Sequence, residues 1–219
     1  MIEQHWKFLL ESRLLSKREK YCAIVSAQYA LGQRKEAFEI IRTAVKSGDA
    51  PLKLFVELFI HLSLFLGFPA MLDGLETLQR LNGVVSPQKR KRARGRSRSE
   101  GMRIFRRIYG PQTDKVLKNL HGIHPDIARW IIKDAYGKIF NRQGMLLKER
   151  ELVNVVVLGI QGFTPQFFSH VRGALRVGMK AKSMEAILDF ISISARLDAR
   201  IARRILLQAQ RTSSLAGFR

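Results

Sequence analysis

Apolar positions recur every three to four residues from close to the start of the chain. Leu9, Leu10, Leu14 and Leu15 open the pattern, and that spacing lays an apolar face along a helix. Ser16 followed by Glu19 is a capping-box signature and predicts a second helix start. That helix carries Tyr21, Ile24, Val25, Gln28 and Tyr29 and stops near Gly32. Ala37, Ile40, Ile41, Ala44 and Val45 mark a third helix, ended by Gly48. A fourth is predicted from behind Asp49-Ala50-Pro51 to Gly67, with Pro69 just beyond as a breaker. A fifth holds Met71, Leu72, Leu75, Leu78 and Leu81.

Residues 83–101 interrupt this rhythm. After Val85 they hold almost no large apolar side chain, so they cannot bury enough area to offset the entropy of ordering, and they read as a flexible basic linker. Helical spacing resumes at Met102, a turn is marked by Asn141-Arg142-Gln143-Gly144, and strong helices follow over 147–160 and 166–177, with a final pair over 183–194 and 197–209. Residues 1–82, 83–101 and 102–219 are therefore expected to be a first helical unit, a linker and a second helical unit, in an all-α fold. His121 and His124, which flank Gly122-Ile123 before Pro125, read as loop residues.

The two helical units resemble each other. Leu15-Ser16-Lys17-Arg18-Glu19 aligns with Leu147-Lys148-Glu149-Arg150-Glu151. Each is followed by an apolar helix, a glycine (Gly32, Gly162) and an Ala-x-x-x-Gly helix, Ala44/Gly48 and Ala174/Gly178. In this alignment the two spans from glutamate to alanine differ by two residues. A self-similar pattern of this kind predicts one supersecondary unit built twice.

Composition narrows the class. With 46% apolar residues and 6 prolines the chain can build a sizeable core. The single cysteine, Cys22, excludes an intrachain disulfide and agrees with a reducing cytoplasm, where the protein is expected. The N-terminal residues lack a signal-peptide layout. The most apolar run, Leu58 to Leu72, is shorter than the ~20 residues of a membrane span and predicts a buried helix and its turn. The net charge of +21 is uneven: residues 89–107 alone hold 10 basic side chains and one acid. Lys89, Arg90, Lys91 and Arg92, with Arg94, Arg96 and Arg98, could contact a polyanion by counterion release. They have no aromatic interleaving for base stacking and no sequence-reading motif.

Residues 136–179 carry an Arg-Glu pair opening an apolar helix (Arg150-Glu151), then a His-x-x-x-Ala-x-x-x-Gly helix (His170, Ala174, Gly178). Glu151 and His170 are 19 positions apart, and Leu66-Gly67-Phe68-Pro69-Ala70 supplies a glycine-phenylalanine-proline turn. In this ordered set the chain resembles the carboxymuconolactone decarboxylase family, over about three quarters of its length. The resemblance implies the all-helical alkylhydroperoxidase-D-like fold, duplicated here, and homo-oligomers of the trimer or hexamer-like ring type.

It also implies two chemistries. The peroxidase branch needs a Cys-x-x-Cys pair, whose positions here fall on Phe163 and Gln166. Neither can be a thiolate nucleophile, and Cys22 matches neither position, so thiol peroxidase activity is excluded. The decarboxylase branch needs no metal and no cofactor. Glu151 and His170 would be its acid/base pair on a small carboxylated lactone, and Arg150 a substrate-binding cation. In the first unit the position matching His170 falls between Phe38 and Ile40, so one site at most is intact.

Structural readings compete at each position. Glu151 could cap or ion-pair at a helix start, Arg150 could be a salt-bridge partner, and His170 could be a packed histidine. His61 reads as a hydrogen-bonded core histidine and Cys22 as inert. No histidine–carboxylate spacing fits a metal site. The alternative to an enzyme is a noncatalytic helical scaffold whose linker binds polyanions.

Overall fold

A computed structural model describes residues 5–82, 97–195 and 198–214, and among these every regular element is a helix, as the spacing predicts. The order is α1 (His5–Glu11), α2 (Lys17–Ala30), α3 (Arg34–Lys46), α4 (Leu52–Asn82), α5 (Ser97–Tyr109), α6 (Thr113–Ile123) and α7 (Pro125–Trp130). A wider π-helical segment (Ile131–Phe140) follows directly, then α8 (Leu147–Gln161), α9 (Thr164–Arg176), α10 (Ala181–Ala195) and α11 (Ala199–Ser214).

Two helices form the centre. α8 is buried from Glu149 to Gly159, and α2 at ten of its positions. A helix apolar on nearly all sides, such as Leu152-Val153-Asn154-Val155-Val156-Val157-Leu158, is stable only when enclosed, and each of its Leu and Val side chains contributes roughly 1.5–3 kcal/mol by leaving water. α2 packs directly on α8. One apolar core, running from Leu9 to Ala209, therefore draws on both predicted units. A second, smaller core joins Phe105, Ile108 and Tyr109 of α5 to Ile132, Tyr136 and Phe140 of the π segment. That pairing is close: a Cβ on Gly101 would stand 1.9 Å from the Ile132 carbonyl oxygen, so only glycine lets the two backbones meet.

The predicted Ser16–Glu19 capping box is present: the Ser16 side chain accepts from Glu19 N–H, and the Glu19 carboxylate accepts from Ser16 N–H at 2.8 Å. In α8, Glu149 accepts from Leu146 N–H at 2.8 Å. Glu149, not Glu151, is thus the residue that does what Glu19 does, and this corrects the alignment by two positions. Ion pairs then cross between the central helices in reciprocal fashion, Arg18 to Glu149 at 2.7 Å and Lys148 to Glu19 at 2.7 Å. With this register the landmarks Ser16 and Leu146, Gly32 and Gly162, and Gly48 and Gly178 all lie 130 positions apart. The two-residue discrepancy disappears, and the positions matching Glu151 and His170 become Tyr21 and Ile40.

α4 turns sharply at Gly67 (φ 77°, ψ 177°), with Pro69 at the start of its second arm. Leu52–Leu81 is long and apolar enough, by length and composition, to cross a membrane. The turn leaves neither arm with the ~20 residues a span needs, and the first arm carries Glu57 and His61 into buried polar bonds with the second half of the chain.

The structure departs from sequence expectations in two further places. α5 begins at Ser97, five residues before Met102, so residues 97–101 are helical rather than linker; the remainder, with Lys89, Arg90, Lys91 and Arg92, lies outside the described residues. His121 sits in the last turn of α6, while His124 caps α7 by accepting from Asp126 N–H at 3.1 Å.

Candidate active site

Glu151 lies on the first turns of α8 and His170 in the middle of α9, and the two helices pack against each other. Their side chains meet: His170 Nδ1 is 2.9 Å from Glu151 Oε2. An ionised carboxylate only accepts hydrogen bonds, so Nδ1 carries the proton and Nε2 is left with a lone pair. Glu151 is fully buried, whereas the His170 ring borders a cavity of about 620 Å³. Nε2 is therefore the nitrogen that a molecule in the cavity would meet.

Asn154, one turn beyond Glu151 on α8, holds the pair in place. Its Nδ2 donates to Glu151 Oε1 at 3.0 Å and also lies 3.2 Å from His170 Nδ1. Its Oδ1 is 2.8 Å from His61 Nε2. Because Oδ1 is an acceptor, His61 Nε2 must be the protonated nitrogen. His61 Nδ1 then faces the Arg150 guanidinium at 3.4 Å, and Arg150 bonds Glu57 at 3.2 Å. Glu57 also takes a two-pronged bond from Arg142 at 2.6 and 2.8 Å. A continuous buried polar chain thus runs from Glu57 on α4 through Arg150, His61 and Asn154 to the Glu151–His170 pair.

This placement sorts the sequence candidates. Glu151 and His170 are brought together at a cavity. Arg150 is not: it is fully enclosed, faces Glu57, and does not line the cavity, so the substrate-binding role read from the sequence gives way to the competing ion-pair role. His61 is a hydrogen-bonded core histidine as expected. Burial and the neighbouring Arg150 charge depress its pKa from 6.5 to about 3. Below pH 6.5 the unfolded chain therefore binds a proton that the folded chain refuses, and stability falls as pH drops toward 3 and levels off below it. The slope approaches about 1.4 kcal/mol per pH unit. Urea unfolding between pH 7 and pH 4 should show this loss, and His61→Gln should flatten it.

Of the two positions that the resemblance reserves for thiols, Phe163 is half exposed and Gln166 lines the cavity. Cys22 is fully buried on α2 and burial pushes its thiol strongly up, which fits an inert residue. Among the described residues no cluster of His, Cys, Asp or Glu could hold a metal ion.

Two tyrosines complete the site, and no local signal in the sequence marks them. Tyr136 O–H donates to Tyr109 O at 3.2 Å, and both rings border the cavity. Burial, with the Glu151 charge nearby, raises Tyr109 to about 12 and pushes Tyr136 well up. Both phenols stay protonated near neutral pH. Tyr136 spends its O–H within the pair, and the Tyr109 O–H, with Ser169 beside it, is the one not spent there. The rest of the wall is chiefly apolar, with Leu64, Phe65, Phe105 and Trp130 among its members.

Space at the pair is tight. A Cβ on Gly173 of α9 would stand 2.5 Å from Glu151 Oε2 and 2.8 Å from Ile108. Gly173→Ala should push Glu151 off His170 and cost about 1–3 kcal/mol by overpacking. Thermal unfolding together with turnover would check it: a variant with unchanged Tm and full turnover would mean the carboxylate has room to move.

The similarity to known proteins is distant. No protein-family model matches the chain. It is 24% identical to 4-carboxymuconolactone decarboxylase of Acinetobacter baylyi over 101 residues, 46% of this chain and 75% of that one. It is 25% identical to peroxisomal protein 2 of Schizosaccharomyces pombe over 170 residues, 75% of this chain and 80% of the relative. Identity to peroxisomal protein 2 of Saccharomyces cerevisiae is 31% over 88 residues, which covers 40% of this chain and about a third (31%) of the relative's length. The chain is thus distantly similar to a carboxymuconolactone decarboxylase. The two fungal names say peroxisomal, a compartment that one cysteine and the N-terminal residues do not distinguish from the cytoplasm expected above.

Proposed function

We propose that this protein is a cofactor-free acid/base catalyst acting on a small lactone or related carbonyl compound. The reading is carried by one observation: a buried carboxylate lies at hydrogen-bond distance from one nitrogen of a histidine that lines a cavity. Glu151 orients the His170 ring and balances the charge that arises when Nε2 takes up a proton. A phenol O–H of the Tyr109–Tyr136 pair supplies a donor to the carbonyl oxygen as negative charge develops there. In a decarboxylation, the bond to the leaving carboxylate breaks, carbon dioxide departs, and the electron pair passes into the conjugated carbonyl. A proton that Nε2 has first taken up from solvent is then delivered to carbon and completes the reaction. In an isomerisation, the same nitrogen removes a proton at one carbon and returns it at another.

The name of the bacterial relative supports a lactone bearing a carboxylate. The lining adds a condition: among the described residues Asp134 is its one acid, and no Lys or Arg belongs to it. A lactone with a single carboxylate directed to the mouth fits this wall better than one with several. The test is to incubate the protein with 4-carboxymuconolactone, and with unsaturated lactones that lack the extra carboxylate, and to follow carbon dioxide release and proton–deuterium exchange at carbon. Turnover or exchange that depends on His170 is expected. Neither, with any of these compounds, would remove the proposal.

A further inference from the structure

A second cavity, of about 720 Å³, lies between α1, α2 and α3. Its lining is related to that of the first by the same interval of 130 positions. Trp6, Leu10, Glu36, Glu39 and Ile40 of the second stand for Tyr136, Phe140, Gln166, Ser169 and His170 of the first. Tyr21 stands where Glu151 supports the histidine. The space has been kept while the proton-transfer pair has been replaced by Tyr21 and Ile40, and the Tyr21 hydroxyl is already bonded to Asp49 at 3.1 Å.

Gln28 gives this space a polar requirement. Its side chain borders the cavity and is 94% buried, yet its Oε1 has no hydrogen-bond partner. Buried amide oxygens are nearly always satisfied, and leaving one unpaired is costly. Trp6 and Leu10 supply an apolar wall, and the charged rim is balanced, Lys7 and Lys35 against Glu36 and Glu39. A balanced rim gives no preference for an ionic ligand.

We propose that this second cavity is a noncatalytic small-molecule site. It takes a neutral compound of ring size with an apolar body and one O–H or N–H donor, which satisfies Gln28 once its amide turns to bring the enclosed Oε1 to the cavity. The proposal does not depend on the chemistry assigned to Glu151 and His170, so either can fail alone.

The two cavities carry the chain's two tryptophans, Trp6 in the second and Trp130 in the first. In Trp130→Phe, emission excited at 295 nm reports Trp6 only. Titration of that variant with benzyl alcohol should shift the emission saturably. Benzyl methyl ether, which lacks the donor, should bind about tenfold more weakly. Adding Gln28→Leu should abolish the preference for the alcohol with little effect on folding, since the shape is nearly kept. A linear, unsaturable response would overturn the assignment, as would equal affinity for alcohol and ether, or a preference that survives Gln28→Leu.

Discussion

Replacing Glu57 with alanine is expected to destabilise the protein by about 3–5 kcal/mol, the usual cost of stranding a buried charge. Arg150 has no exposed surface and its Nε already lacks a partner. Burial depresses its pKa, and Glu57 is the neighbour that opposes the shift. Arg142 loses both its bonds in the same step. The reverse change, Arg150→Met, should cost less, because Glu57 keeps its two-pronged contact with Arg142. The double variant Glu57→Ala/Arg150→Met should recover part of the loss, since removing a buried pair together leaves neither of its two charges facing an absent partner. Urea unfolding of the four proteins forms a cycle that isolates the coupling. A Glu57→Ala protein within 1 kcal/mol of the parent would show that Arg150 finds another partner, and the polar chain from α4 to the Glu151–His170 pair would lose its anchor.

That chain shows how far the sequence could be read. Helix starts and stops depend on neighbours a few residues away, so Ser16–Glu19, Gly32, Gly48, Gly162 and Gly178 were legible. The Glu151–His170 pair was reached through the family resemblance, and its two side chains meet across only one helix, a turn and the next. The register of the internal match was not. Two nearly identical Arg-Glu strings differ by two positions, and the choice between them is made by Glu149 reaching back to Leu146 N–H. Nor was the role of Arg150 visible, because its partner Glu57 is 93 positions away and nothing local distinguishes a cation bound for a carboxylate in the core from one bound for a ligand. Tyr109 reaches the site from an element with no match in the first unit, and Tyr136 matches Trp6, which carries no hydroxyl, so the internal comparison pointed to neither phenol. Asn154 had a usable signal: three positions after Glu151, it shares that residue's face.

Loss of the His170 imidazole should have the largest effect on function. In His170→Ala, kcat with a lactone substrate should fall on the order of 10²–10⁴, the usual contribution of a positioned acid/base group, with KM little changed because the apolar wall is untouched. Glu151→Gln is the more searching test. A glutamine is nearly isosteric, and its amide can present either an oxygen or an N–H to Nδ1. If it presents the N–H, the imidazole is driven to the opposite tautomer, and Nε2 then carries the proton and can no longer act as a base. A fall in kcat close to that of His170→Ala, at an unfolding midpoint near the parent's, is therefore the signature of a tautomer-fixing carboxylate. A purely structural Glu151 would give the opposite, a lowered midpoint with kcat intact. Asn154→Ala separates orientation from proton transfer: it removes the amide that holds Glu151 Oε1 while leaving both reacting groups, and kcat should fall less than in either of the other variants. If all three variants turn over substrate at the parent's rate, proton transfer does not occur at this pair.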